Sequence, residues 1–435
     1  MVNICDWYMR KALIITYYWP PSGGGGVQRW LKFAKYLPQF GWQPVIFTPE
    51  NPDFNIKDES LTKDVSADTE VLKLPIWEPY QLFEKVTGKK TPAQGLTNLK
   101  QSKSLLTKAA MWIRGNVFIP DPKRYWVKPA VKFLKEIIET NNIDVVVTTG
   151  PPHSMHLIGL QLQKQLGVCW VADFRDPWSK WDMLDNFNLS RLARWQHKRL
   201  EHNVLRQADE VITVSTTWAE EFAGIYERNY HVITNGFDEE DFDHYKRQSN
   251  SDKFIISHFG LLNAFRNPEV LWQVLEELLN ENLEIELHLY GMIEPQIIAL
   301  LQTYTTLWRN TVVKPPVSHD EVLRAYQEAD VLLLLLNHSE NAKGHLPGKL
   351  FEYLATDRPI LALGPPASDA SAIIQKTQTG ATINWADYSG MKEYLMALID
   401  RPGAFNSHAD EVAKFSRARL TDQLVNEVLN PLVKS

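Results

Sequence analysis

Short apolar runs alternate with helical patterns along almost the whole chain, and this alternation limits the fold more than any other feature. The runs 331–336 and 360–363 are apolar at every position, as expected for parallel strands buried on both faces. Stretches with apolar residues at helical spacing, such as 192–205 and 268–279, lie between such runs. Because strands and helices alternate, the sequence predicts an α/β protein with parallel sheets and crossover helices.

The alternation occurs in two series. The first extends from the apolar run 12–17 to the run 211–214, and the second begins at 254–256 after the polar segment 238–252. Two such series predict two Rossmann-like domains, residues 1–240 and 251–409. The end of the chain, 410–435, has apolar residues at helical spacing and is expected to form a terminal helix.

Composition and charge exclude several classes of protein. Hydrophobic residues make up 44% and charged residues 23% of the 435 residues, as in ordinary globular proteins. The longest apolar run has six residues, so no transmembrane helix is expected. The net charge is −6, divided into +2 for residues 1–250 and −8 for the remainder. A nucleic-acid-binding protein should be basic, so nucleic acid is not an expected partner.

The amino terminus and the cysteines indicate the cellular compartment. Residues 1–8 lack the basic start and apolar core of a signal peptide, and Met9 is an alternative start of the functional chain. The only cysteines, Cys5 and Cys169, cannot form a disulfide scaffold or a four-cysteine zinc site. We therefore expect a cytoplasmic protein, either free in the cytoplasm or at the inner face of the membrane.

Residues 84–128 form a basic insertion in the first domain. They contain ten basic residues against two acidic ones, with Trp112, Phe118 and several aliphatic residues between them. One interpretation is a solvated insertion with a small hydrophobic contact of its own. The other is a surface for anionic lipid headgroups or a lipid-linked acceptor, since basic stretches with Trp and Phe bind membrane interfaces. A second basic stretch lies at 191–206.

Four consecutive glycines, 23–26, follow the first predicted strand. A helix that starts near Gly26 would direct its free N–H groups at an anion, and Gly24 and Gly25 would let the backbone approach it closely. The segment has neither the Walker A sequence nor the dinucleotide-binding spacing. The alternative is a flexible turn between strand and helix.

Six segments together resemble retaining glycosyltransferases of family 4, which have the GT-B fold. They occur in the family's order and cover about residues 10–365. The segments are the glycine loop, TGPPHS at 149–154, DFRDPW at 173–178, TNGFD at 234–238, HFG at 258–260 with Arg266, and LPGKLFEYLA at 346–355 followed by RPIL at 358–361. The DFRDPW segment is similar to a subgroup signature.

The resemblance implies an α/β fold in which the parallel sheets of two Rossmann-like domains face a central cleft. It implies a nucleotide-sugar donor bound mainly by the C-terminal domain and an acceptor bound mainly by the N-terminal domain. It also implies that the last helix returns to the N-terminal domain, the alternative being a helix on the C-terminal domain. The family's E-x7-E pattern would end at Glu352, but its first glutamate is replaced by Gly344. The family also pairs an arginine with a lysine around the diphosphate; here Arg266 fits the arginine and Lys349 is a substitute for the lysine.

A glycosyl transfer needs stabilisation of the leaving diphosphate as negative charge develops on it. No D-x-D motif with supporting ligands is present, so we predict no metal and no cofactor, with the donor as a co-substrate of UDP or GDP type. We expect catalytic stabilisation from Arg266 and Lys349. Donor binding is expected from Gly24, Gly25 and Gly26, from the N terminus of a helix at Gly348, and from Glu352, which would accept hydrogen bonds from the ribose. Glu352 and Arg266 can alternatively be exposed surface residues.

Four residues after predicted strands of the first domain complete the candidate set. Arg175 and Asp176 are expected to act in catalysis, Arg175 at the position of the histidine that contacts the sugar in the family. Asp173 and His153 are expected to contact the acceptor or the transferred sugar. The alternatives are an ion-pair network that positions the loop and a buried structural histidine.

Together with these residues, the resemblance implies a retaining and metal-independent glycosyltransferase that moves a hexosyl group to a cell-envelope or capsular glycan. The acceptor is a glycan or a lipid-linked glycan, and an anionic membrane is an additional partner. Two alternatives stay open: a sugar-nucleotide epimerase of the same fold, and a nucleotide-sugar-binding protein without activity, which Gly344 suggests.

Overall fold

The computed structural model describes residues 9–54, 56–79, 105–242, 253–338, 340–401 and 405–434. It divides into two compact units: an N-terminal unit of residues 1–234 with 420–435, and a C-terminal unit of residues 235–419.

The described part of the N-terminal unit contains a seven-stranded parallel sheet with the strand order β3-β2-β1-β4-β5-β6-β7. Its strands are β1 (Arg10–Ile15), β2 (Trp42–Pro49), β3 (Glu70–Leu74), β4 (Val145–Gly150), β5 (Trp170–Phe174), β6 (Glu210–Thr213) and β7 (His231–Val232). Its helices are α1 (Gly25–Tyr36), α2 (Leu105–Asn116), α3 (Val127–Asn141), α4 (Ser154–Leu166), α5 (Arg191–Gln207) and α6 (Thr216–Ala223).

The sheet of the N-terminal unit is buried on both faces. Leu13 and Ile15 of β1 belong to a hydrophobic cluster with α3 and α4, whereas Ala12 and Ile14 belong to a second cluster with α1. Because successive side chains of a strand point to opposite faces, an uninterrupted apolar run fills both clusters. For this reason continuous apolar runs in the sequence predict these strands.

The end of the chain packs in the N-terminal unit. Leu424, Val428 and Leu429 are buried in the cluster that contains α1. Asn430 accepts hydrogen bonds from Arg10 of β1 (2.9 Å) and from the indole of Trp42 (3.2 Å). The helical pattern of this region is divided into four pieces: α14 (Ala409–Ala413), α15 (Arg417–Leu424), a π-helical turn (Val425–Leu429) and α16 (Asn430–Lys434).

The described part of the C-terminal unit contains a six-stranded parallel sheet with the order β10-β9-β8-β11-β12-β13. Its strands are β8 (Phe254–Phe259), β9 (Ile285–Tyr290), β10 (Thr311–Lys314), β11 (Val331–Leu335), β12 (Ile360–Leu363) and β13 (Gly380–Ile383). Its helices are α7 (Glu269–Asn280), α8 (Pro295–Leu301), α9 (Thr305–Arg309), α10 (His319–Glu328), α11 (Gly348–Leu354), α12 (Asp369–Thr377), α13 (Tyr388–Asp400) and α14. The side chains of β11 alternate between two hydrophobic clusters, Leu333 in one and Leu332 in the other.

The structure differs from the sequence-based boundaries in two places. The first unit ends at 234, a few residues before the predicted linker 238–252, of which residues 243–252 lie outside the described part. The second unit extends to 419 rather than 409, because Val412 and Phe415 pack in its hydrophobic cluster. Residues 84–104 of the basic insertion also lie outside the described part, and its remainder includes α2.

Candidate functional site

Each sheet has one point at which the strand order reverses. In the N-terminal unit this point lies between β1 and β4, and in the C-terminal unit between β8 and β11. Ligands of doubly wound sheets bind outside the carboxyl ends of the strands at this point. The glycine loop follows β1 and His153 follows β4, whereas Arg266 follows β8 and Lys349 follows β11.

Two positions, directly after β8 and directly after β9, require glycine. Gly260 follows β8 with φ of +123°, and a Cβ at this position would lie 2.6 Å from Lys349 Nζ. Gly291, which follows β9 with φ of +125°, has no room for a Cβ because the carbonyl of Gly260 occupies the space. Since both positions combine a positive φ with a close approach, only glycine fits them. The backbone can therefore come close to the Lys349 ammonium.

Lys349 is a largely buried cation on the first turn of α11. Its ammonium donates to the backbone carbonyl of Phe259 at the end of β8, and no ion pair to a carboxylate is present within the described ranges. Burial, and after it the charge of Arg266, lowers the pKa of Lys349 to about 7, while Glu352 partly opposes this effect. A buried ammonium without an ion-pair partner lowers the stability of the folded protein, and an anion that binds beside it would offset this cost.

Arg266 lies at the end of a short 3₁₀ turn after β8. Its Nε donates a 2.6 Å hydrogen bond to Oδ1 of Asn337, the second residue after β11. Burial lowers the pKa of Arg266 from its ordinary value, but an arginine stays charged at neutral pH. Because Asn337 binds only Nε, the hydrogen bond positions the guanidinium without neutralising it. Arg266 lies close enough to Lys349 for its charge to lower the pKa of the lysine.

Two neutral histidines accompany these cations. His258 of β8 hydrogen-bonds through Nδ1 to the carbonyl of Leu333 (3.0 Å), so Nδ1 carries the proton and Nε2 is a buried acceptor without a partner. Burial, Lys349 and Arg266 lower the pKa of His258 to about 3. Burial and the same two cations lower the pKa of His345 to about 4, and its Nδ1 is also buried without a partner. Unpartnered buried nitrogens are uncommon and call for a ligand or an ordered water.

Glu352 lies one turn after Lys349 on α11. Its Oε2 accepts a 2.6 Å hydrogen bond from the hydroxyl of Tyr326 on α10. Burial, followed by the charge of Glu352, raises the pKa of Tyr326 well above its ordinary value, so the phenol stays protonated and remains a donor. This bond orients one carboxylate oxygen of a half-buried side chain. The interpretation of Glu352 as a solvated surface carboxylate does not fit this geometry.

The structure therefore brings Arg266, Lys349 and Glu352 together in the C-terminal unit. Gly348 is exposed at the first position of α11, a helix of seven residues, and its donor-binding role stays a prediction. Gly344 is buried beside this region and supplies no carboxylate.

In the N-terminal unit, Arg175 connects two loops at the point where the strand order reverses. Its guanidinium donates to the carbonyl of Gly26 (2.7 Å) and to the carbonyl of Pro151 (2.5 Å). Gly24 precedes α1 with φ of +86°, and a Cβ at Gly24 or Gly25 would meet no atom within 4 Å. Their surroundings are open, whereas Gly26 packs against Tyr18 and Arg175. Arg175 thus positions the glycine loop.

The role predicted for Asp173 is corrected by the structure. The carboxylate is completely buried and accepts hydrogen bonds from Arg29 (2.9 Å), from the indole of Trp30 (2.7 Å) and from Thr149 (2.9 Å). Burial acts to raise the pKa of Asp173, but Arg29 and the hydrogen bonds hold it below its ordinary value. Since both oxygens are occupied inside the unit, Asp173 has no oxygen to offer a sugar. The alternative was an ion-pair network among Asp173, Arg175 and Asp176, but the ion-pair partner of Asp173 in the structure is Arg29 on α1.

Asp176 and His153 lie nearby in different environments. Asp176 is half-buried, and burial raises its pKa while Arg175 lowers it. His153 is buried and stacks on Trp178 with ring centroids 4.9 Å apart and planes 5° apart. Burial, followed by the nearby His156, His197 and Arg175, lowers the pKa of His153 well below its ordinary value, and its Nδ1 is buried without a hydrogen-bond partner. His153 is therefore a neutral, rigidly held imidazole with one unsatisfied nitrogen.

Several residues of these sites were not predicted from the sequence: Arg29, His258, Asn337, Tyr326 and His345. Asn337 had a signal, since it follows directly on the apolar run 331–336 at a strand end. His258 interrupts an apolar run in a similar way. Arg29 and Tyr326 gave no such signal, because each lies within a helical pattern, in which polar side chains usually face solvent.

Among the described residues, no group of three or more His, Cys, Asp or Glu side chains could hold a metal ion. No helix in this part of the chain has the length and apolarity needed to cross a membrane.

Comparison with known proteins supports the assignment of the fold. Residues 24–236 match the family model of the glycosyl transferase 4-like domain. The structure is similar to sucrose-phosphate synthase of Thermosynechococcus elongatus, with 15% identity, a TM-score of 0.65 and coverage of 98% of this chain and 100% of that one. It is similar to HepE of Anabaena in complex with UDP and glucose, with 14% identity, a TM-score of 0.62 and coverage of 97% and 100%. A third similar structure is the lipopolysaccharide outer core galactosyltransferase WaaB, with 13% identity, a TM-score of 0.57 and coverage of 97% and 100%. A search of the curated proteins found no match.

These similarities confirm the predicted fold class, a GT-B fold with two Rossmann-like domains built on parallel sheets. The family match shows that residues 24–236 are similar to a glycosyl transferase 4-like domain.

Proposed function

We propose that this chain transfers a hexosyl group from a nucleoside-diphosphate donor to a cell-envelope or capsular glycan, with retention of configuration and without a metal ion. The observation that carries the proposal is the pair of cations in the C-terminal unit. Arg266 and Lys349 lie together at the carboxyl ends of parallel strands, without a carboxylate partner in the described ranges, beside two buried nitrogens that lack hydrogen bonds.

The leaving group explains why two cations are needed. As the bond between the sugar and the phosphate breaks, negative charge develops on the diphosphate, and preorganised donors stabilise it at little cost in reorganisation. Arg266 is held through Nε and can use its remaining N–H groups on a phosphate. Lys349 shares its ammonium with the Phe259 carbonyl and has further N–H groups available. A charge-assisted hydrogen bond contributes about 1.5–3 kcal/mol, so these two side chains can replace the charge of a metal ion.

The remaining residues position the donor and the acceptor. Glu352, oriented by Tyr326, accepts hydrogen bonds from the ribose hydroxyls, as the family resemblance implies. Donor roles for Gly24, Gly25, Gly26 and Gly348, and roles for Asp176 and His153 toward the sugar or acceptor, stay predictions. UDP is the first donor nucleotide to test, because similar structures were solved with UDP. A lipid-linked glycan at the inner face of the membrane is the acceptor class we favour.

The experiment is incubation with UDP-, GDP- and dTDP-sugars, with measurement of nucleotide release and of the anomeric configuration of the product by NMR. We expect release of one nucleotide type and a product with the configuration of the donor. Arg266→Ala should lower turnover by about 10- to 100-fold, the loss of one charge-assisted hydrogen bond, and Glu352→Ala should remove most of it. Arg309→Ala and Glu393→Ala, which change exposed residues of the same unit, are the matched controls.

Three outcomes contradict the proposal. Isomerised donor without transfer indicates an epimerase, and tight binding without turnover indicates a binding protein. Turnover of Arg266→Ala equal to that of Arg309→Ala removes Arg266 from the reaction.

A further inference from the structure

Helices α2 and α5 each expose a face that is both aromatic and basic. On α5 the exposed residues include Arg191, Leu192, Trp195 and Lys198, with Leu192 64% and Trp195 53% exposed. The opposite side of the helix, with Ala193, His197 and Glu201, is buried. On α2, Trp112 (48%) and Ile113 (43%) are exposed. Large apolar side chains on a solvent face, rather than scattered singly, indicate an interaction surface.

The two helices are joined where α2 ends and α5 begins. Asn116 at the end of α2 accepts a 2.7 Å hydrogen bond from the backbone of Ser190, the N-cap residue of α5. Gly115 packs so closely on Phe187 and Leu189 that a Cβ there would lie 2.5 Å and 2.6 Å from their side chains. The end of α2 is therefore fastened to the start of α5. We call Trp112, Ile113, Arg191, Leu192, Trp195 and Lys198 the Trp face.

The charge of this surface is positive. Arg191 and Lys198, together with the adjacent Lys108 and Arg199, make no ion pair with a carboxylate in the part of the chain that the structure describes. Arg194 is the exception, since it pairs with the exposed Asp185 at 2.9 Å. Arg199 lies over the ring of Trp195 at 5.0 Å from its centroid. Because the guanidinium lies against the exposed indole, the positive charge and the aromatic ring can contact the same partner.

We propose that the Trp face docks onto an anionic lipid bilayer, with the helices lying along its surface. Tryptophan is favoured at the level of lipid headgroups, and basic residues beside it are attracted to anionic lipids. A nucleic acid fits less well, because the chain as a whole carries a net charge of −6. The proposal is independent of the sugar-transfer reaction, since binding to vesicles is measured without donor or acceptor.

The test is co-sedimentation of the full chain with vesicles of phosphatidylcholine alone and of phosphatidylcholine mixed with phosphatidylglycerol. We expect binding only to the mixed vesicles, and weaker binding at high salt. Each basic residue near an anionic surface strengthens binding about 5-fold, so the double variant Arg191→Gln, Lys198→Gln should lower the partition coefficient roughly 30-fold. Within the described part of the chain, neither side chain forms an ion pair with a carboxylate, so folding should be unaffected.

The matched control is the double variant Lys73→Gln, Lys164→Gln. It removes the same charge from exposed residues that lie outside α2 and α5, on the edge strand β3 and near the end of α4. This control should bind like the wild type, whereas Trp112→Ala, Trp195→Ala should bind less.

Four results would overturn the proposal: no sedimentation of the wild type with mixed vesicles, equal sedimentation with neutral vesicles, the same loss in both charge variants, or a dimer in sedimentation equilibrium that Trp195→Ala dissociates. The last result would assign the Trp face to a second copy of the chain.

Discussion

We predict that binding of a nucleoside diphosphate, the donor class of the proposed function, depends on pH through Lys349. With a pKa of about 7, the ammonium is charged in only part of the free molecules at neutral pH. A bound diphosphate compensates the charge that burial and Arg266 disfavour, so binding raises this pKa toward its ordinary value. Binding must therefore take up a proton, and affinity must fall as pH rises through 7.

The magnitude follows from the titration of one group. Uptake should be about half a proton per ligand at pH 7 and about 0.9 at pH 8, and affinity should fall roughly 5-fold from pH 7 to 8 and roughly 50-fold from pH 7 to 9. His258 and His345 are neutral over this range, with pKa values of about 3 and 4. At pH 8 the terminal phosphate of UDP is also ionised, since its pKa is about 6. The signal at pH 8 therefore belongs to Lys349.

Isothermal titration calorimetry of UDP in two buffers with different enthalpies of ionisation measures this uptake. Lys349→Met, which fills a similar volume and cannot titrate, should bind more weakly, with no proton uptake and no pH dependence between 7 and 9. Wild-type binding at pH 8 without uptake, or equal uptake in the methionine variant, would refute the reasoning. The same variant should unfold at a higher temperature, because the buried charge is costly to the free protein. The free energy of unfolding of the wild type should increase from pH 7 to 10. In this range Lys349 keeps its proton in the unfolded chain and loses it in the folded protein.

Three further predictions concern residues around the two sites. Arg29→Met should destabilise the protein by about 3–5 kcal/mol in urea unfolding because it leaves the buried Asp173 without its partner; the double variant with Asp173→Asn should recover much of this loss, and additive losses would contradict the pairing. Tyr326→Phe should raise KM for the donor by about 10-fold or more with little change in unfolding, since one hydrogen bond to a charged acceptor is lost; an unchanged KM would separate Glu352 from donor binding. Gly260→Ala should abolish UDP binding in calorimetry, because a Cβ 2.6 Å from Lys349 Nζ with φ of +123° displaces the ammonium, whereas Gly224→Ala in the N-terminal unit serves as the control.

The central strands could be predicted from the sequence because they are apolar on both faces. In β11, alternate side chains belong to different hydrophobic clusters, so every position had to be apolar. The edge strands β3, β10 and β13 were not predicted, because their side chains are mostly only partly buried and the apolar run is short. The chain end was predicted as helical, but the break into four pieces depends on contacts with two different units.

The sequence by itself determined the α/β class, the two series of elements and the cation candidates Arg266 and Lys349, since these depend on local periodicity and on short motifs. Only the tertiary structure decided which polar groups meet. Asp173 is paired with Arg29, which lies 144 positions away, and Glu352 receives its hydrogen bond from a tyrosine 26 positions away. The order of strands in each sheet brings such residues together. Whether a carboxylate stabilises the fold or binds a ligand depends on the side chains around it. Those neighbours are set by the order of the strands, which a local sequence pattern does not contain.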